Sequence, residues 1–551
     1  MAEDKEEHGR QRNLFLEMTA SAVQSSIGLW GHSQRHPAET VQMVGKVWQS
    51  FLSSYAAKDS GPSEDKRFSE DGWEAPYFSG LKEHWLNVEA ATNDWLDQTG
   101  EGQGIHHRRR QYMLNFLLAA WSPKNFALTN PEAVRRSMDE NGLNLVRGAQ
   151  NLIEDITRHG GLPSKVDPDA FEIGKDIAGT NGAVIFRDEL CEIIQFTPQT
   201  PQVRATPILL VWSVINRFYL LDLTEERSIV RQLLQDGHQV FLQSWKNPGT
   251  EEAHWALEDY ARAARRTFDV VREVSKSDSL NVMPVCAGAY PTYAAVLLAQ
   301  SEGDRGIKGV VALVSAVDNQ AHDTLFGLIG TSDTIETAKA QVQNQNGFSS
   351  DALSWSLSLL QPDRMLFPYF YEGYVLGTRR PPSEVAYWLA DQVNISTGFY
   401  EQLLDYITQN AFTDPEKMQI DGHPIRLSDL DSDLLLVAAL HDNLMPWRAA
   451  YRTIKHVACP VEFVLTSGGH ITPMTAKVDD PRVGYWSHQD APRDLDADAW
   501  LDGAQWHQES WLNHLGLWLK ARSGDMVSAP TELGCEKHPV LCPAPGTYAF
   551  S

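Results

Sequence analysis

The sequence predicts a two-part chain. Residues 1–180 form an all-helical domain, and residues 181–551 form a doubly wound, mostly parallel α/β sheet with a helical cap inserted at about 320–425. Three observations predict this. Apolar residues recur at helical spacing through the first part, with several tryptophans among them. From about residue 183, short apolar runs alternate with helical stretches, the pattern of strand-helix-strand units. Between about 320 and 425 the alternation stops, and an aromatic-rich helical pattern (Phe367, Tyr369, Phe370, Tyr371, Tyr374) broken by Pro381-Pro382 takes its place.

Helical spacing is clearest over Phe15–Val23, Val41–Ala56, Phe78–Leu96 and Arg110–Ala120, with polar breaks at Asp59–Glu64 and Gln98–Gly104. Gly100, Gly102 and Gly104 loosely resemble a dinucleotide loop, but no strand precedes them, so a linker is the better reading. His106-His107-Arg108-Arg109-Arg110 reads as a solvated helix start. In the second part Ala183–Arg187 and Cys191–Phe196 read as a hairpin, and Pro207–Val214 and Gln239–Ser244 as strands. Ser228–Gln235, ending at Gly237, and Glu251–Val274 read as the helices around the second of these strands. A strand to Val285, a helix Ala289–Gln300 and a strand Gly309–Val317 follow. After the cap come a strand Asp433–Leu440, a helix Trp447–Ile454 and a last strand Val461–Thr466. A Trp-rich helical segment, Trp500–Leu519, closes the domain, with a tail from Ser523 over the surface.

Composition bounds the function. At 551 residues, 42% hydrophobic and 22% charged, the chain has the balance of a soluble globular protein. A net charge of −25 repels nucleic acid and anionic membranes as principal partners. Five scattered cysteines make no disulfide framework and favour a reducing cytoplasm. Met1–Arg12 lacks the apolar core of a signal peptide, and runs such as Pro207–Trp212 and Leu434–Leu440 are too short to span a bilayer. No Cys-x-x-Cys or His-Glu-x-x-His spacing suggests a metal, and no Walker-type loop is present.

The chemistry centres on Asn281-Val282-Met283-Pro284-Val285-Cys286-Ala287-Gly288-Ala289-Tyr290. A cysteine between a strand end and a helix start is exposed at a sharp turn and faces the helix N-terminus. The small residues Ala287, Gly288 and Ala289 suit such a turn, although Cys286 could equally be an ordinary buried thiol. The strand to Leu440 is followed by Asp442, and the strand to Thr466 by Ser467-Gly468-Gly469-His470. Nucleophile, acid and histidine in that order, each after a strand, is the order of α/β-hydrolase-like folds. The thiol must ionise to attack, His470 serves as base, and Asp442 fixes its tautomer. An oxyanion needs two donors: the N–H of Ala287 and one from Ser213-Val214-Ile215-Asn216, near Ile215. Other readings are that Asp442 starts a helix and that His470 is a surface turn residue; His441 is a rival that adjoins the acid too closely to be its partner.

The residues resemble the polyhydroxyalkanoate synthase family, of the single-subunit type, over nearly the whole chain. The resemblance lies in Asp65-Lys66-Arg67-Phe68-Ser69 with Trp73, Ser122-Pro123-Lys124-Asn125-Phe126 and Leu128-Thr129-Asn130-Pro131-Glu132. It continues in Asn144-Leu145-Val146-Arg147-Gly148, Phe171-Glu172-Ile173-Gly174, Ile215-Asn216-Arg217-Phe218-Tyr219-Leu220-Leu221-Asp222-Leu223 and Ser244-Trp245-Lys246-Asn247-Pro248. It ends in Ser467-Gly468-Gly469-His470-Ile471 and Ala544-Pro545-Gly546-Thr547-Tyr548.

The resemblance implies polymerisation of 3-hydroxyacyl-CoA with release of CoA, Cys286 carrying the growing chain, His470 as base and Asp442 as its acid. It also implies a mobile cap, homodimers, attachment to polyhydroxyalkanoate granules in the cytoplasm, and no cofactor beyond the coenzyme A of the substrate. Arg217 and Lys246 are candidates for the CoA phosphates or for a solvated surface. The chain departs from the family pattern at Pro284 and Ala289, where glycines are usual, and at Asn443. It departs also at Gln361-Pro362-Asp363-Arg364 and Trp388-Leu389. Two other readings fit the residues: a thiol hydrolase of acyl-CoA or polyester, and a non-catalytic granule-associated paralogue.

Overall fold

The computed structural model describes residues 29–54, 65–100, 104–158, 163–319, 324, 332–359, 361–488 and 491–551. The expected helix Phe15–Val23, the break Asp59–Glu64, Gly102 and the first part of the cap lie outside them. The chain divides into two units, one of residues up to Asp167 with Ser354–Ser383, the other of Pro168–Leu353 with Glu384–Ser551. The helical part therefore stops short of 180 and takes a piece of the expected cap with it.

The first unit contains helices α1 (Pro37–Ser54), α2 (Pro76–Thr99), α3 (Ile105–Trp121), α4 (Pro131–Asp139) and α5 (Leu143–Arg158). Helices α1 to α3 share a core of Trp95, Leu96, Leu114 and Leu118, with Met43, Trp85 and Val88 against it. The motif around Arg67 is structural: its guanidinium forks onto Glu89 at 2.7 and 2.6 Å and also holds Asp65. Helix α4 starts with Asn130 accepting from Glu132 and Ala133 and with Pro131 in its first turn, a regular N-terminal signal.

Helix α5 is inside out. Its polar residues point inward: Asn144 Nδ2 donates to the Val375 carbonyl at 3.2 Å and Asn151 Nδ2 to that of Gly373 at 2.9 Å. Buried Asp155 takes two bonds from Arg379 and one from the Tyr374 hydroxyl, all at 3.0 Å. A methyl group on Gly148 would collide with the Tyr374 carbonyl oxygen. These bonds tie Gly373–Arg379 to the helical unit. The apolar residues of α5 face outward instead.

The second unit is built on an eleven-stranded sheet. Its strands are β1 (Gly182–Arg187), β2 (Cys191–Phe196), β3 (Ile208–Val211), β4 (Val240–Trp245), β5 (Leu280–Pro284) and β6 (Ile307–Leu313). Then come β7 (Asp433–Ala439), β8 (Val461–Thr466), β9 (Tyr485–Ser487), β10 (Gln505–His507) and β11 (Cys542–Pro543). They lie in the order β10-β9-β8-β7-β6-β5-β3-β4-β2-β1-β11. The six strands from β8 to β4 are parallel. Antiparallel strands flank them on both sides. Strand β3 and all of β7 after Asp433 are continuous apolar runs buried on both faces, as covered sheets require, and β4 is buried throughout. This is the α/β-hydrolase-like sheet the sequence predicts.

Helices α6 (Ile229–Gln235), α7 (Leu257–Ser275) and α8 (Ala289–Ser301) make the crossovers among β3 to β6, and α9 (Trp447–Arg452) that from β7 to β8. The chain runs from β3 to β4 on one side and then returns to place β5 on the other side of β3. Crevices at such a reversal are where open α/β sheets collect ligands.

Three expectations need correction. Val461–Thr466 is not the last strand, because β9, β10 and β11 follow it; each has two or three residues, too few to show a period of two. Trp500–Leu519 is not one helical stretch: α10 (Ala497–Gly503) and α11 (Trp511–Lys520) enclose β10. Helix α7 begins at Leu257 rather than Glu251, since the Asp259 carboxylate takes the Ala256 N–H and fixes the start there.

Candidate active site

Cys286 stands two residues past the end of β5, after Val285. Its φ is +51°, a left-handed conformation that is unusual for a side chain with a Cβ and typical of a nucleophile turn. The turn Cys286–Gly288 leads into α8. Gly288 is required sterically: a Cβ there would run into the Trp212 carbonyl oxygen and lie 2.8 Å from that of Val211. The turn thus rests on the end of β3.

Pro284, the departure two residues before Cys286, is accommodated by a gap in the ladder. Pairing of β5 with β6 covers Leu280 to Val282 and resumes at a Val285–Leu313 bridge, so the missing proline N–H falls between them. Val285 still donates to Val211 on the other side at 3.0 Å.

Asp442 and His470 meet across the ends of β7 and β8. His470 Nδ1 lies 2.6 Å from Asp442 Oδ2. The other oxygen, Oδ1, accepts the N–H groups of Leu444 and Met445, both at 2.8 Å, so the carboxylate is fixed in direction. Asp442 therefore opens a turn rather than a helix, since α9 starts only at Trp447 after Pro446, and it holds His470 as well. The loop that carries His470 is closed by Gly468, at φ +90°, whose carbonyl accepts from His441 N–H, and by Gly469 N–H on Thr472 Oγ1 at 3.0 Å. His441 itself has an exposed side chain.

The His470 side chain is 17% exposed and that of Asp442 is fully buried. Burial of the ring opposes its charge. The Asp442 carboxylate, then the Cys286 thiolate and a hydrogen bond to each, outweigh this and hold its pKa well above the ordinary 6.5. Cys286 is buried at 4% exposure, away from bulk water.

The expected oxyanion residues are placed as follows. Ala287, fully buried, opens the turn after the thiol. Ile215 lies on the loop after β3, with its N–H given over a long 3.4 Å to Ser213 Oγ. Asn216 is tied to Gln392 through its side chain, and its carbonyl accepts from Trp212 Nε1 at 2.8 Å.

Arg217 and Lys246 are both engaged. Lys246 pairs with Glu252 at 2.5 Å. Arg217 is 7% exposed and holds Asp391 and the carbonyls of Tyr548 and Ser551. Tyr290 sits beside Cys286; its hydroxyl donates to the Ala316 carbonyl at 3.1 Å and accepts from Asn319 Nδ2 at 3.2 Å. The sequence reading missed this group. Its only signal was a tyrosine in the first turn of an otherwise small-residue helix.

Comparison with known proteins identifies the family. The family model of the poly-beta-hydroxybutyrate polymerase (PhaC) N-terminus matches residues 64–233. Poly(3-hydroxyalkanoate) polymerase 1 of Ectopseudomonas oleovorans is 31% identical over 98% of this chain and 95% of its own length. The chain belongs to the poly(3-hydroxyalkanoate) polymerase family. Membership makes it an enzyme of the acyltransferase kind. The poly(3-hydroxyalkanoate) polymerase subunit PhaC of Cupriavidus necator is 30% identical over 91% of this chain and 85% of that one. Among solved structures, a Paleococcus ferrophilus monoacylglycerol lipase covers 51% of this chain and 91% of its own at 14% identity, with a TM-score of 0.32. No helix among the described residues is long and apolar enough to cross a membrane.

Proposed function

We propose that this polymerase-family member converts 3-hydroxyacyl-CoA thioesters into polyhydroxyalkanoate through an acyl-Cys286 intermediate. The observation that carries the reading is the His470 imidazole bound to a fixed Asp442 carboxylate; burial opposes its charge, but Asp442 and Cys286 favour the imidazolium. An imidazolium next to a thiol favours the thiolate. The thiolate adds to the thioester carbonyl. The oxyanion so formed accepts from the Ala287 N–H and from a second donor on the loop after β3, for which Ile215 is our candidate. Collapse breaks the carbonyl–sulfur bond of the thioester, and the CoA thiolate leaves with the His470 proton. Neutral His470 then takes the proton of the 3-hydroxyl of a further monomer, whose oxygen attacks the acyl-cysteine and releases Cys286 as the thiolate. The chain grows by one unit per cycle, and no group beyond the coenzyme A of the substrate is required.

Attachment to the polymer granule in the cytoplasm and a homodimeric state belong to the same proposal. The outward apolar face of α5, with Val146 53%, Ile153 62% and Ile156 57% exposed, supports a partner surface of some kind.

The test is CoA release from 3-hydroxybutyryl-CoA and from a longer 3-hydroxyacyl-CoA, with insoluble product weighed in the same tube. CoA and polymer together, both lost in Cys286→Ala, are expected. CoA with only free hydroxy acid would replace the synthase by a hydrolase, and no release from either substrate would refute turnover of these substrates.

A further inference from the structure

The loop that follows β3 is gripped from two sides by residues far away in the chain, and Arg217 is the point where the grips meet. Its Nε donates to Asp391 Oδ1 at 3.3 Å, NH1 to the Tyr548 carbonyl at 3.0 Å, and NH2 to that of Ser551. The Arg217 carbonyl accepts Trp388 Nε1 at 2.8 Å. The other Asp391 oxygen, Oδ2, takes the Tyr219 hydroxyl at 2.7 Å. One residue earlier, Asn216 bonds Gln392 and forms an isolated bridge with it. Trp212, at the start of the loop, donates to the Asn216 carbonyl, and its own carbonyl lies against Gly288. A series of polar contacts therefore runs from Tyr548–Ser551, through Arg217 and the Trp388–Gln392 segment, to Asn216 and Trp212, whose carbonyl packs against Gly288 of the Cys286 turn.

The energetics make this more than a surface tie. A guanidinium at 7% exposure needs its donors filled, and the tail carbonyls fill two of them. Removing a partner strands part of a buried charge, which is far costlier than losing a surface ion pair. The planar fork also sets direction; an ammonium would keep the charge but not the geometry.

We infer that Arg217 is a positioning residue: it clamps the loop carrying the Ile215 N–H against the Trp388–Gln392 segment and the last residues of the chain, so that order at Tyr548–Ser551 sets the stiffness of the oxyanion side of the site. The inference rests on the proposed acyl transfer for its effect on rate, but the clamp itself does not depend on it.

The experiment compares the full chain with Arg217→Met, Arg217→Lys, a chain stopped after Thr547, which removes both tail oxygens that Arg217 holds, and the Arg217→Met chain with the same stop. Amide hydrogen exchange over 213–219 and 388–392 reads the clamp without any substrate. Exchange in both segments should accelerate in Arg217→Met and in the stopped chain, with Arg217→Lys between them and the parent. The double variant should be no worse than the worse single one, since both changes break one unit. In CoA release, kcat should fall roughly tenfold or more while KM stays within about threefold, because a misplaced group loses rate rather than affinity. Unchanged exchange at 213–219 in the folded stopped chain, or additive effects in the double variant, would overturn the clamp. A parent that releases no CoA would defeat the synthase reading alone, and the exchange data would still decide the clamp. If Arg217→Met fails to fold, Arg217→Lys and the stopped chain carry the same comparison.

Discussion

Asp442 spends one oxygen on two backbone N–H groups and the other on His470, and this division of labour has a measurable consequence. The His470 pKa is raised in the folded protein, so the charged pair contributes its full stability below about 6.5, the unfolded value, and loses it as pH rises through the higher folded value. In Asp442→Asn the largest raising influence disappears and burial of the ring dominates, so the His470 pKa should drop. Its imidazole titration by NMR should shift to lower pH, and alkylation of Cys286 by iodoacetamide at pH 7 should slow. An unmoved titration would mean that Asp442 does not control the base. Gly288→Ala is a second test at this scale. The added methyl group has the Trp212 and Val211 carbonyl oxygens in its way, so a loss of about 1–3 kcal/mol in urea unfolding is expected, the range of overpacking.

Among the elements, α5 makes the sharpest prediction because its faces are reversed. Gly148→Ala meets the Tyr374 carbonyl and should destabilise the protein by about 1–3 kcal/mol, whereas Ile153→Gln on the exposed face should change stability by no more than about 0.5 kcal/mol. Equal effects in urea unfolding would contradict the orientation. The same helix explains part of what the sequence could and could not disclose. Its apolar spacing marks a helix correctly but says nothing of which side faces in, and here the polar side does. Parallel strands such as β3 and β7 were legible because they are buried on both faces and so read as apolar runs. Strands β9 to β11 were not, each being a two- or three-residue strand at the margin of the sheet. Cys286, Asp442 and His470 could be picked out because each follows a strand in the order this fold uses. The Arg217 clamp could not, since it joins Arg217 to the Asp391 carboxylate 174 positions away and to the Tyr548 carbonyl 331 positions away, a pairing no motif records. For the same reason Arg217 was a reasonable candidate for a phosphate and is in fact committed elsewhere.

At the scale of the whole molecule, charge opposes the proposed substrate. A chain with net charge −25 repels an anionic CoA thioester at long range, and salt screens that repulsion with a Debye length of about 8 Å at physiological ionic strength. KM for 3-hydroxybutyryl-CoA should therefore fall as salt rises from about 0.01 to 0.15 M. A KM that rises instead would reveal a local basic surface strong enough to dominate the field. Family membership extends over nearly the entire chain, at 31% identity across 98% of it, and the departures at Pro284, Asn443 and Trp388-Leu389 leave the thiol, the imidazole and the carboxylate in place. The central claim is that Cys286 carries the acyl chain. The most direct test is to quench the enzyme in acid during turnover of 3-hydroxybutyryl-CoA and map the acylated peptide by mass spectrometry. The account predicts hydroxyacyl adducts of one or more units on the peptide containing Cys286, and none on Cys286→Ala. CoA release with no adduct at Cys286, or with the adduct on another residue, would contradict it.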